Sequence, residues 1–231
     1  DEKPQCSACF ILGIEDSLES IMDLAKTESI IFKGGSGSGV NLSALRSSKE
    51  RLNKSNGFSS GPVSFMKGLD AFAGVIKSGG RTRRAAKMVI LNVDHPDIVD
   101  FINCKIREEN KAKALVAAGY SASLDGEAYA TVAFQNANNS VRVTDDFMRA
   151  VESDQDWDLK AVTTGDVLET LKARDLLFEI AQATWECGDP GMQFDTISNE
   201  MNTVPKTGRV NSSNPCSEFF HLDNTSCNLA S

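Results

Sequence analysis

The 231-residue sequence is poor in basic side chains and contains only two histidines. Its 24 lysines and arginines are outnumbered by 32 aspartates and glutamates, so the formal net charge is −8. Surfaces that bind nucleic acids neutralise phosphates with basic side chains, and this balance therefore argues against a nucleic-acid partner. His95 and His221 lie far apart in sequence, and no second C-x-x-C motif accompanies Cys6 and Cys9. A zinc site is therefore not predicted.

Long apolar runs are also missing. No run approaches the roughly 20 residues that a transmembrane helix needs, and no basic segment followed by an apolar one opens the chain. We therefore predict a cytoplasmic protein without a membrane partner. The chain has no initiator methionine and ends at Ser231 without a polar tail, and we expect it to be a piece of a longer polypeptide.

The order of helical and strand-like patterns predicts an α/β fold with a mostly parallel sheet. Helices are expected after Asp16-Ser17, from Pro62 to about Lys77, after Asp94 to near Lys113, after Thr144, and from Arg174 to Cys187. Strand-like segments are Met88–Leu91, Tyr129–Phe134, Arg209-Val210 and Phe219-Phe220. Strands that alternate with helices are typical of βαβ units.

Two segments could bind an anion. The glycine-rich loop Gly34–Gly39 could present backbone N–H groups to a phosphate, or it could be a flexible connector. It is neither a P-loop, because no Gly-Lys-Ser/Thr follows, nor a dinucleotide fingerprint, because Val40 replaces the third glycine. The arginines of segment Arg81–Arg84 could form a solvated face or hold a phosphorylated ligand.

The six cysteines divide into two within the central part of the chain, Cys104 and Cys187, and four near its ends, Cys6, Cys9, Cys216 and Cys227. Cys104 and Cys187 lie within helical patterns and are predicted to be inert packing residues. Cys6 and Cys9 form a C-x-x-C motif, which leaves a redox role open. A thioredoxin-type motif would lie at a helix N-terminus, however, and this one precedes an apolar run.

The segment Asn214-Pro215-Cys216-Ser217-Glu218 has the highest density of reactive groups. In an extended conformation, the amide, thiol and carboxylate at alternate positions would share one face. His221 would face the other way, so a cysteine nucleophile with a histidine base is not favoured. The arrangement suits chemistry on a polyol, with Glu218 removing a hydroxyl proton. The alternative is a surface turn with a stray cysteine.

This segment, followed by Ser226-Cys227-Asn228-Leu229-Ala230-Ser231, resembles the active-site signature of ribonucleotide reductase catalytic chains. The resemblance extends over nearly the whole chain. The sequence is most similar to those of the adenosylcobalamin-dependent class II enzymes. Further segments resemble the family in the family's order: Ser7–Phe10, Gly37–Leu42, Gly61–Phe65, Lys77–Gly80 and Gly188–Gly191.

The resemblance implies a ten-stranded α/β barrel built from two five-stranded halves around a finger loop. Residues 1–231 would form one partial catalytic domain, the first half with the finger loop, and are expected to be inactive alone. Cys216 would carry a thiyl radical generated with adenosylcobalamin. Glu218 would act as general base, Asn214 would bind the ribose hydroxyls, and Cys9 and Cys227 would supply two electrons by forming a disulfide.

The resemblance also implies binding residues and partners. Ser7, Ala8, Gly37, Asn214 and Pro215 would contact the ribonucleotide substrate, expected to be a diphosphate. A deoxynucleotide effector would bind at a homodimer interface, and a thioredoxin-like protein or a dithiol would re-reduce the enzyme. The effector residues would be Asp16, Lys33 and Arg46, and the specificity loop would contain Ser78, Gly79, Gly80, Arg81, Thr82 and Arg83.

Three alternatives remain at this point. The chain could come from a class I reductase large subunit, whose radical originates in a metal-containing partner protein. It could be a non-catalytic nucleotide-binding module that keeps only the effector site. It could also be a thiol–disulfide oxidoreductase that uses Cys6 and Cys9.

Overall fold

A computed structural model describes residues 6–52, 57–76, 86–123 and 126–228. The helices are α1 Leu18–Lys33, α2 Gly61–Val75, α3 Ile98–Ala117, α4 Glu127–Ala130, α5 Asp145–Glu152, α6 Ala173–Cys187 and α7 Asp195–Glu200. The strands are β1 Cys9–Leu12, β2 Gly37–Asn41, β3 Lys87–Asn92, β4 Ala137–Val143, β5 Asp156–Lys160, β6 Val167–Lys172, β7 Gly191–Phe194, β8 Val210–Ser213, β9 Phe220–Leu222 and β10 Thr225–Cys227.

The central element is a six-stranded sheet in the order β10-β1-β2-β3-β4-β7. Neighbouring strands from β1 to β7 run parallel, and β10 pairs antiparallel with β1. Helices connect the parallel strands, as βαβ geometry requires. This arrangement confirms the predicted α/β class, and its five parallel strands equal the number expected in one half of the barrel.

The two faces of the sheet are covered differently. Helices α1, α2, α3 and α6 pack on one face and form the apolar core with alternate sheet residues; its fully buried members include Val40, Val89, Leu91, Val141, Ile98 and Phe101. The other face is covered by β8, β9 and the turn between them. We call this segment, residues 210–222, the finger.

The ends of several helices follow local sequence signals. Ser17 caps α1 by accepting a hydrogen bond from the Ser20 amide at 3.1 Å, and Thr144 caps α5 by accepting one from the Phe147 amide at 3.2 Å. Gly188 ends α6 in the left-handed conformation, with φ of 82°. In the described part of the chain, no helix has the length and apolar character needed to cross a membrane.

Two sequence-based assignments of secondary structure are wrong. Gly37 to Gly39, expected in a loop, belong to the buried strand β2. Tyr129–Phe134 was expected to be a strand, but it holds the end of α4 and a turn, while the strand follows as β4. Strand β4 carries several polar residues, of which Arg142 is buried against the finger, and the segment therefore lacks the apolar run that identifies a buried parallel strand.

Candidate active site

Glycines in β2 allow the finger to lie directly on the sheet. A β-carbon added to Gly37 would lie 2.6 Å from Pro215 Cγ, and one added to Gly39 would lie 1.8 Å from the Ser213 carbonyl oxygen. The Gly37 amide donates to the Ala8 carbonyl at 2.9 Å within the sheet. The absence of side chains at Gly37 and Gly39 therefore allows the finger backbone to contact the sheet. The interpretations of this segment as an anion cradle or a flexible connector do not apply to these two residues.

The tip of the finger is a turn, which corrects the expectation of an extended segment. The Ser217 amide donates to the Asn214 carbonyl at 3.1 Å, and Ser217 adopts a left-handed backbone with φ of 67°. Asn214 and Glu218 converge because the chain reverses between them. Cys216, between them in sequence, is exposed at the tip.

Asn214 orients the carboxylate of Glu218. Its Nδ2 donates to Glu218 Oε1 at 2.5 Å, while its Oδ1 accepts from the Phe219 amide at 3.1 Å. Because the acceptor side of the Asn214 amide is occupied by a backbone N–H, its donor side must face the carboxylate. Asn214 is fully buried, so Glu218 is held by a rigid partner.

Cys9 and Cys227 are direct partners across β1 and β10. Partner residues in antiparallel strands have Cα atoms about 4.5–5.5 Å apart, which lies within the range of about 4.4–6.8 Å found in disulfides. The Ala8 amide donates to the Cys227 carbonyl at 3.3 Å, and Ser7 Oγ donates to Asn228 Oδ1 at 2.8 Å. The ends of the two strands are therefore tied together.

The cysteine pair lies beside the finger tip. Cys9 is the register partner of Gly37 on β2, the glycine against which Pro215 packs. Burial raises the pKa of the Cys9 thiol. A hydrogen bond from Asn214 lowers it, and the charges of Glu218, Cys227 and Cys216 raise it further. The three sequence-predicted cysteines, the amide and the carboxylate therefore belong to one electrostatic environment.

The other cysteines lie outside this cluster. Cys104 packs in the core, as expected, and burial raises its pKa to about 12. The Cys187 thiol donates to the Ala183 carbonyl at 3.4 Å within α6. Cys6 is exposed, and Cys9 begins a strand instead of a helix. The local structure that lowers the thiol pKa in thioredoxin-type motifs is therefore absent at Cys9.

The structure brings together two of the three predicted effector residues. Arg46 Nε donates to Asp16 Oδ2 at 2.7 Å, and the Arg46 amide donates to Asp16 Oδ1 at 3.1 Å. Lys33 lies at the opposite end of α1, whose 16 residues span about 24 Å at 1.5 Å each. The specificity loop from Ser78 to Arg83 lies outside the described residues.

Sequence reasoning missed the polar side chains that anchor the finger. Asn41 Nδ2 donates to the Asn211 carbonyl at 2.9 Å, and Asn138 Nδ2 donates to the Pro215 carbonyl at 3.1 Å. Gln193 and Arg142, both buried, also bind the finger. No local sequence pattern identified them, because their partners on the finger are distant in sequence.

The two histidines have different surroundings, and the buried Nδ1 of His221 has no hydrogen-bonding partner among the described residues. His221 stacks on Phe219 with ring centroids 5.5 Å apart. His95 is buried, and its two ring nitrogens bond the Leu45 carbonyl and the Asp97 amide. Across the described ranges, no group of three or more His, Cys, Asp or Glu side chains could hold a metal ion.

Comparison with known proteins gives a consistent result. Residues 7–231 match the family model described as the ribonucleotide reductase barrel domain. The chain is 60% identical, over 98% of its own length and 24% of the relative's, to a vitamin B12-dependent ribonucleotide reductase of Streptomyces clavuligerus. It is 52% identical, over 100% of its length and 22% of the relative's, to the enzyme of that name from Rhodopirellula baltica.

A more distant relative is the vitamin B12-dependent ribonucleoside-diphosphate reductase of Thermoplasma acidophilum, with 39% identity over 98% of this chain and 27% of that protein. The chain thus spans about a quarter of the length of the curated relatives it matches. The family model covers nearly all of the chain, and its finger, glycine strand and paired cysteines lie in one site. The chain therefore belongs to the ribonucleotide reductase family.

Proposed function

We propose that these residues act in a vitamin B12-dependent reductase that converts ribonucleoside diphosphates to 2′-deoxyribonucleotides for DNA synthesis. The observation that carries the proposal is the convergence of Cys9 and Cys227 with the Asn214–Glu218 pair beside exposed Cys216. The names of the Streptomyces and Thermoplasma relatives support the cofactor and the diphosphate substrate. Residues 1–231 are proposed to supply the first barrel half and the finger.

Cys216 is proposed to start and end the reaction on the ribose. As a thiyl radical it takes the 3′-hydrogen atom, and it returns a hydrogen atom after reduction at the 2′ position. Glu218 accepts the proton of the 3′-hydroxyl as general base. The Asn214 amide, which donates to Glu218, fixes the direction of this carboxylate and is proposed to bind the ribose hydroxyls together with it.

Cys9 and Cys227 are proposed to supply the two reducing electrons. The 2′-hydroxyl leaves as water, the two thiols lose their hydrogens, and a Cys9–Cys227 disulfide forms. Ribonucleotide and dithiol are thereby converted to deoxyribonucleotide, disulfide and water. Since burial raises the pKa of Cys9, this thiol keeps its proton at neutral pH and can pass it to the leaving hydroxyl. A thioredoxin-like protein or a dithiol then reduces the disulfide.

The cofactor requirement fits the residues present. The Cys216 thiol is free and exposed at the finger tip, so a bulky cofactor could reach it. When bound, adenosylcobalamin supplies the radical chemistry that oxidises this thiol. Cys216 is the described residue that we assign to meet the cofactor.

Substrate contacts are proposed around the same tip. Ser7 and Ala8 directly precede β1, and Ser7 Oγ donates to Ser226 Oγ at 3.1 Å. Gly37 and Pro215 form the adjacent floor of the site. We propose a backbone contact from Gly37 to the substrate, beside Pro215, which packs against the Gly37 Cα.

An effector site is proposed at Asp16 and Arg46. Of the three guanidinium nitrogens of Arg46, only Nε donates to Asp16 within the described residues, and the terminal nitrogens keep their donors for a deoxynucleotide phosphate. Lys33 lies at the far end of α1, and in a homodimer the Lys33 of the second copy would complete the effector site. Exposed apolar side chains of α1, including Leu18 at 60% and Ile30 at 63% exposure, support association along this helix. Residues Ser78 to Arg83 are proposed to relay effector identity.

The test uses a full-length reductase that carries these residues. Cys216→Ser should abolish deoxynucleotide formation, because an ordinary serine hydroxyl gives no accessible radical. Glu218→Gln should slow or divert the reaction after hydrogen abstraction, since the general base is lost. Cys187→Ser is the matched control and should keep wild-type activity. Substantial activity of Cys216→Ser would refute the thiyl assignment.

The same protein separates the rival functions. Activity that depends on a metal-containing partner protein and not on cobalamin would favour a class I large subunit. Deoxynucleotide binding without product would favour a non-catalytic module. Disulfide reduction without nucleotide affinity would favour an oxidoreductase that uses Cys6 and Cys9.

A further inference from the structure

The residue that follows Cys216 is held in an unfavourable backbone conformation. Ser217 has φ of 67°, in the left-handed region that residues other than glycine adopt at an energetic cost. The conformation persists only if surrounding contacts impose it. Because Ser217 directly follows Cys216 in a turn closed by the bond from the Ser217 amide to the Asn214 carbonyl, a change in the Ser217 backbone angles would shift the Cys216 Cα and its side chain with it.

Gln193 on β7 supplies such a contact. Its Nε2 donates to Ser217 Oγ at 2.9 Å and to Ser213 Oγ at 2.8 Å, which joins the last residue of β8 to the far side of the turn. Gln193 is only 2% exposed, so water does not compete for these bonds. One side chain of the sheet thus closes the turn that contains Cys216.

The orientation of the Gln193 amide follows from its other neighbour. Arg142 Nη1 donates to Gln193 Oε1 at 3.2 Å. Arginine can only donate, so the amide oxygen must face Arg142 and the amide nitrogen must face the two serines. Arg142 itself is fixed by Asp195 Oδ1 at 2.6 Å and by the Val210 carbonyl at 2.7 Å.

A second amide holds the other side of Cys216. Asn138 on β4 donates to the Pro215 carbonyl at 3.1 Å. The neighbours of Cys216 are thus bound by two adjacent parallel strands, one before and one after the thiol. The thiol itself has no hydrogen-bonding partner among the described residues, so its placement depends on these neighbours.

We propose that Gln193 is a positioning residue that holds Ser217 in the left-handed conformation and thereby aims the Cys216 sulfur at the substrate. The inference rests on the proposed function, in which Cys216 exchanges a hydrogen atom with the ribose. Such a transfer depends steeply on distance, and a misplacement of about 1 Å can cost about 100-fold in rate.

The experiment compares Gln193→Leu with Gln182→Leu in a full-length reductase that carries these residues. Gln182 lies exposed on α6, where its Nε2 donates to Glu186 Oε1 at 2.8 Å. Gln193→Leu should lower kcat by about tenfold or more, because the thiol is misdirected. The KM for the ribonucleotide should change little, and Gln182→Leu should match the wild type. An unchanged kcat in Gln193→Leu would overturn the proposal.

Substitutions at position 217 test the same contact from the other side. Ser217→Ala removes the hydroxyl but keeps the cost of a left-handed backbone, whereas glycine adopts that backbone freely. We expect Ser217→Gly to keep a higher kcat than Ser217→Ala, and Ser217→Gly to restore part of the activity of Gln193→Leu. Equal kcat values for Ser217→Gly and Ser217→Ala would overturn the proposal, even if Gln193→Leu failed to fold.

A cofactor-free measurement separates this inference from the proposed function. Hydrogen exchange at the Ser217 amide, which donates to the Asn214 carbonyl, should be faster in Gln193→Leu and unchanged in Gln182→Leu. If the wild type made no deoxynucleotide, the proposed function would fail, while this exchange would still show whether Gln193 holds the turn. Unchanged exchange at Ser217 would reject Gln193 as its anchor.

Discussion

The Cα of Gly39 faces the Ser213 carbonyl so closely that an added β-carbon would lie 1.8 Å from that oxygen. Gly39→Ala must therefore push the finger away from the sheet. We expect a loss of unfolding free energy of about 1–3 kcal/mol or more, as for other overpacked sites, and loss of activity. Gly68→Ala on α2, where an added β-carbon meets nothing within 4 Å, should be neutral or stabilising. Urea denaturation of both variants measures the difference.

Oxidation should join Cys9 to Cys227 and to no other cysteine. Their positions as direct partners in β1 and β10 provide the Cα separation that a disulfide needs. Treating the chain with diamide and mapping the peptides by mass spectrometry should identify this link in the wild type and in Cys6→Ser. Cys227→Ser should remove it. A Cys6–Cys9 disulfide as the main product would contradict the pairing.

Two substitutions at the finger tip should move the Cys9 pKa in opposite directions. Burial is the main cause of its raised pKa, and the Glu218 charge raises it further, whereas the Asn214 hydrogen bond lowers it. Glu218→Gln should therefore lower the Cys9 pKa, and Asn214→Ala should raise it. The pH dependence of Cys9 alkylation, followed by mass spectrometry, measures both. A shift of the same sign in both variants would contradict the geometry of this site.

Much of the helical side of the fold could be predicted from sequence because its determinants are local. Ser17, Thr144 and Gly188 end or begin helices through contacts within one turn of the chain. The order of helices and strands was sufficient to predict a parallel sheet. The pairing of Cys9 with Cys227 followed from family resemblance, since nothing local joins positions so distant in sequence.

The face of the sheet that the finger covers could not be predicted, because the contacts that determine it join residues distant in sequence. Arg142 is buried and Asn138 is exposed, and their partners, Asp195 and Pro215, lie more than fifty positions away. Strand β4 therefore lacks an apolar pattern, and its polar residues gave no sign of burial. Gly37 and Gly39 suggested a loop for the same reason, because the finger that requires them is distant in sequence.

The Glu50 carboxylate should make the stability of the chain depend on acid pH. It accepts bonds from the Ser47 amide and hydroxyl, both at 2.8 Å, and from the Thr163 amide and hydroxyl at 2.9 and 2.7 Å. Burial raises its pKa, but these hydrogen bonds outweigh burial and lower the pKa to about 2 from an ordinary value of 4.5.

A lowered pKa stabilises the folded state above the unfolded-state value, and this contribution is lost as the pH falls from 4.5 towards 2. At 1.36 kcal/mol per pH unit it amounts to at most about 3 kcal/mol. Glu50→Gln should therefore lower the free energy of unfolding near neutral pH, and the difference from wild type should shrink across that window. Urea denaturation at several pH values measures it, with exposed Glu200→Gln as the control. A difference that stays constant down to pH 2 would show that Glu50 contributes through packing instead of charge.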